Sequence, residues 1–71
     1  MKPDIKIRYF EMITNGLQSH PSELNAFRKM WNEGDYRLVY VFVMKLKEGH
    51  LIELPASFLE IEKEFYSDYV W

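Results

Sequence analysis

The hydrophobic pattern changes period along the chain, and each change predicts an element. Ile5-Lys6-Ile7-Arg8-Tyr9 alternates with period two and is rich in β-branched and aromatic residues. That predicts a strand running to about Ile13, closed by the turn residues Thr14-Asn15-Gly16. From Pro21 to Trp31 the period is helical: Leu24, Phe27 and Trp31 recur on one face, with Asn25, Arg28 and Lys29 opposite. Pro21 suits a first helical turn, Ser19 or His20 is placed to cap it, and Asn32-Glu33-Gly34-Asp35 supplies the stop.

Tyr36 to Lys47 reads as a second strand, apolar on both faces. Tyr36, Leu38, Tyr40, Phe42, Met44 and Leu46 fall on one side, and Val39, Val41 and Val43 on the other. A strand of that kind belongs in the middle of a sheet, with Val41 fully buried. Glu48-Gly49 then predicts a tight turn into Leu51-Ile52-Glu53-Leu54, completing a hairpin.

The segment after Pro55 supports two readings. As a helix, Ser57 and Glu60 make a capping box, Phe58, Ile61, Phe65 and Tyr69 form one apolar face, and Leu59, Tyr66 and Val70 a second. Glu62 then sits between the two faces. As a strand, Leu59, Ile61 and Phe65 alternate with Glu60, Glu62 and Glu64. The expected fold class is therefore α+β: a small antiparallel sheet of three to four strands with one or two helices. Its element order is β-α-β-β-α, or barrel-like with a final short turn and strand. Residues 1–71 make one domain, since half that length could not bury a core.

Leu54-Pro55-Ala56-Ser57-Phe58-Leu59-Glu60 resembles the end of Src-homology-type small barrels, where a similar run makes one tight helical turn before the last strand. The resemblance covers these seven residues and implies a strand after them. The N-terminal aromatic motif and paired tryptophans of that family are not visible in this sequence, so its proline-peptide binding does not carry over.

Composition narrows the function classes. The chain has no cysteine, which rules out disulfides, Cys-based zinc sites and thiol chemistry. No apolar run approaches ~18 residues, and the N-terminus has no secretory hydrophobic region; a cytoplasmic protein is expected, with no membrane span. Charge is uneven: residues 1–47 carry eight Lys/Arg against five Asp/Glu, while residues 48–71 carry Lys63 against six acids. A basic body and an acidic end suggest pairing within or between chains.

Residues capable of chemistry are few and scattered. His20 and His50 have no second histidine at ligand spacing, so no metal site is expected. Ser19, Ser22 and Ser57 have capping roles available, and Gly16, Gly34 and Gly49 stand alone in turns, so neither a nucleophile nor a phosphate loop emerges. No cofactor is expected. The resulting expectation is a non-enzymatic protein–protein interaction module, a homo-oligomer or the binder of a protein partner. Its candidate partner surface is Leu59, Glu62, Tyr66, Val70 and Trp71. The alternative is a single-stranded nucleic-acid binder that stacks bases on a strand face of Arg8, Phe10, Tyr36, Tyr40 and Phe42; the net charge of −2 argues against it.

Overall fold

Followed over a longer window, the first segment repeats every four residues rather than every two. Tyr9, Ile13 and Leu17 are wholly buried, whereas Ile7, which a strand would place beside Tyr9, is 55% exposed. In the computed structural model, which describes residues 3–70 with side chains from Ile5 onward, this segment is helix α1 (Pro3–Gly16). Three further helices follow: α2 (Pro21–Glu33), α3 (Tyr36–Glu48) and α4 (Phe58–Phe65), the last running into a π-helical turn over Tyr66–Val70. Among the described residues there is no strand. The expected α+β fold, in both its sheet and barrel-like forms, is thus corrected to an all-α fold.

Helix α2 is where the helical period put it, with Pro21 in its first turn. It ends as expected at Gly34, whose φ of 77° is open to a residue without a Cβ. Gly34 N–H donates to the Trp31 carbonyl and Asp35 N–H to that of Met30, the paired bonds that close a helix around a left-handed residue.

Helix α3 replaces the central strand, for a reason of length. Twelve residues would make a strand of about 40 Å, longer than strands usually run, but are an ordinary length for a helix of three to four turns. Asp35 starts the helix: its carboxylate accepts a hydrogen bond from Leu38 N–H at 3.2 Å. Val39, Val43 and Leu46 then fall on the buried side. Val41 points the other way and is 43% exposed, so its expected burial is corrected.

The expected hairpin is also absent. His50, at φ 56°, occupies the left-handed position after α3. Its N–H donates to the Lys47 carbonyl, and Leu51 N–H to that of Leu46. Glu48-Gly49 therefore closes a helix rather than turning a strand.

The tail is helical, but Ser57 makes no side-chain cap. Phe58 and Leu59 N–H groups donate instead to the Pro55 and Ala56 carbonyls, and the chain continues as helix where the resemblance to small barrels implied a strand. The π turn adds a residue to the spacing. It carries the buried side from Phe65 to Val70, which is only 8% exposed.

Helix α1 packs on α4, α2 on α3, and α3 on the π turn. Phe65 lies at the centre of the aromatic part of the core. Its ring stacks on Tyr9 at 3.9 Å between centroids and on Trp31 at 5.7 Å, and meets Tyr36 edge-on at 5.8 Å. Aromatic pairs of this kind contribute about 0.5–1.5 kcal/mol each beyond burial. The exposed surface is 4935 Å², close to the roughly 4,700 Å² that size scaling gives a folded chain of this mass. The described helices thus expose about as much surface as a folded monomer of this mass.

Candidate interaction surface

Helix α4 meets α3 through polar as well as apolar contacts, because Glu62 falls between its two apolar faces. The Glu62 carboxylate is nearly buried, and Lys47 Nζ on α3 donates to both its oxygens at 2.8 Å. The Lys47 ammonium also lies 5.7 Å from the centre of the Phe58 ring. The pair is part-buried, with the Lys47 side chain 31% exposed, so its net contribution is small; losing Lys47 would leave the nearly buried Glu62 carboxylate without its partner, which ties the register of α4 to α3. Further along the same seam Tyr40 packs on Tyr66 at 4.9 Å, and Tyr36 on Tyr69 at 5.7 Å.

Tyr9 reaches this seam from α1. Its side chain is fully buried, and its hydroxyl has no hydrogen-bond partner among the described residues. Burial first, then the Glu62 carboxylate and the Tyr40 phenol, push its ionisation far above the usual tyrosine range. Tyr40 is shifted upward too, by burial and then Glu62, with Lys47 opposing. Of this cluster Tyr9 and Glu62 are buried, Lys47 is partly exposed, and Tyr40 lines a surface cleft. Three surface clefts, of about 470, 310 and 270 Å³, are lined by neither Tyr9, Lys47 nor Glu62, so a substrate in any of them would not touch the charged pair. Among the described residues no three His, Asp or Glu side chains converge as a metal site would need.

Of the expected partner surface, Leu59 and Tyr66 are exposed, by 56% and 43%, while Glu62 and Val70 are buried. Trp71 lies outside the described residues. The strands on which the expected nucleic-acid face was placed are absent among the described residues, so its five residues sit on helices. Arg8 is exposed on α1, and Phe10 packs on Phe27 and Trp31. Tyr36, Tyr40 and Phe42 are half-buried against the core.

Ile7 and Leu59 are exposed singly, and three other large apolar side chains share the outer side of α3. Leu38, Val41 and Met44 are 47%, 43% and 39% exposed on the outer side of α3. Tyr66 and Val70 face Val41 and Met44 across a cleft of about 310 Å³ that Arg37 and Tyr40 also line on the α3 side. Sequence reasoning missed this surface because it counted Val41 as core. The signal was present: Arg37, Val41, Met44 and Glu48 fall at helical spacing along one line. No helix among the described residues is long and apolar enough to cross a membrane. Compared with known protein families, curated proteins and solved structures, the chain matches none.

Proposed function

We propose that the chain is a small non-enzymatic interaction module of the cytoplasm that binds protein through the outer side of α3 and the adjoining tail, and that it self-associates there. The observation that carries this reading is the apolar strip Leu38, Val41 and Met44, continued across the cleft by Tyr66. Large exposed apolar residues grouped on one side, rather than scattered singly, mark interaction sites. The separation of the Lys47–Glu62 pair from the clefts supports the non-enzymatic part.

Light scattering over a dilution series tests the reading. The mass should rise from 8.6 kDa toward twice that value as concentration climbs through the micromolar range. A mass of 8.6 kDa at every concentration contradicts self-association.

A further inference from the structure

The outer stripe of α3 has an order that specifies its own partner. Arg37, Val41, Met44 and Glu48 follow one line along the helix, and all four are exposed. The sequence along that line is cation, apolar, apolar, anion. Turned end for end about a two-fold axis between Val41 and Met44, the line matches itself: Val41 meets Met44 of a second copy, and Arg37 meets its Glu48. A parallel arrangement would set Arg37 against Arg37 and Glu48 against Glu48. Building on the proposed interaction surface, we infer that the occupant of this face is a second copy of the chain, with the two α3 helices antiparallel.

Two further observations favour this pairing. Arg37 lies in the first turn of α3 and Glu48 is its last residue, so each charge stands at the end of the helix where the backbone dipole disfavours it. Asp35 at the N-cap and Lys45 and Lys47 in the last turn offset the dipole at the two ends, but neither Arg37 nor Glu48 makes an ion pair of its own among the described residues. A charge that works against its own helix has a reason to be there if it meets its opposite across an interface. The cleft is the second observation. It opens beside Val41, where Met44 of the second copy arrives, and a flexible thioether side chain suits such an irregular gap. The arrangement is isologous, so each contact occurs twice and the assembly stops at two chains.

Charge reversal tests the pairing. Arg37→Glu and Glu48→Arg each place like charges at both symmetric contacts, and each should weaken the dimer about tenfold or more. Both reversals follow the helix dipole, so the melting temperature of the monomer should hold or rise slightly. The double variant restores opposite charges and should return the dimer to near parental affinity. An equimolar mixture of the two single variants should form a mixed dimer tighter than either alone, since both of its contacts are then attractive. If the parent dimerises and the reversals leave its affinity unchanged, or the double variant fails to restore it, the antiparallel pairing is overturned while self-association stands. A parent that remains monomeric throughout overturns both.

Discussion

The two sides of α3 differ less in composition than in fate. The inner side carries Val39, Val43 and Leu46, all buried, and the outer side carries Leu38, Val41 and Met44, all exposed to between 39% and 47%. A surface helix of a self-sufficient domain has one apolar stripe and a polar back. This helix has two stripes, and the core takes only one. The difference teaches that hydrophobicity alone does not mark core here; register relative to the capping Asp35 and the Lys47–Glu62 pair does.

The comparison breaks most visibly at Val43. Val43→Asp places an unpaired carboxylate at a fully buried site and should cost at least about 3 kcal/mol, a large part of what holds so small a domain. Circular dichroism should show most of the helical signal lost or a melting transition lowered by tens of degrees. A variant melting within a few degrees of the parent would mean that Val43 is not inside.

Tyr9→Phe sharpens the account of the seam between the two sides. The Tyr9 hydroxyl is buried without a partner among the described residues, and such a group costs about 1–3 kcal/mol. Its removal should therefore raise stability by about 1 kcal/mol. The pH dependence follows from the same burial. Tyr9 ionises far more reluctantly in the folded chain than in the unfolded one, where the phenol titrates near ~10. Its contribution is thus complete below that pH, and above it the unfolded state gains by releasing the proton. The parent should lose stability above about pH 10, and Tyr9→Phe should lose less. Urea midpoints for both proteins between pH 7 and 11 check this, and equal alkaline losses would remove Tyr9 as a cause.

The smallest effect lies at the end of α3. His50 holds a left-handed conformation at φ 56°, where Gly34 serves the same role after α2 at φ 77°. His50→Gly should stabilise the chain by up to about 1 kcal/mol, because glycine adopts that conformation without a Cβ penalty. It touches neither side of α3, so dimer affinity should stay at the parental value. A thermal melt and a dilution series separate the two effects. A stability loss would mean that the His50 side chain contributes more than its backbone conformation costs.

Legibility in the sequence followed the same division. Helix α2 was readable because Leu24, Phe27 and Trp31 repeat against a clear polar face and the segment starts and stops at Pro21 and Gly34. Helix α1 was hidden by five alternating residues at its start; the repeat through Tyr9, Ile13 and Leu17 needed a longer window and a willingness to run through Thr14-Asn15-Gly16. Helix α3 has apolar residues all round, so period could not separate strand from helix, and length and the Asp35 cap were the usable signals. In the tail, the two apolar faces with Glu62 between them were legible. The Lys47 partner and the π turn that moves Val70 inward were not, since both depend on how α3 and α4 meet.

The central claim is that α3 serves two masters, a core on one side and a second copy on the other. Val41→Asp, measured beside the parent by light scattering at matched concentrations with a melt of each, tests it most directly. Val41 is exposed, so the account predicts a folded variant whose melt changes little and whose mass stays at 8.6 kDa where the parent's approaches twice that. A variant that unfolds, or one whose mass follows the parent's at every concentration, would contradict it.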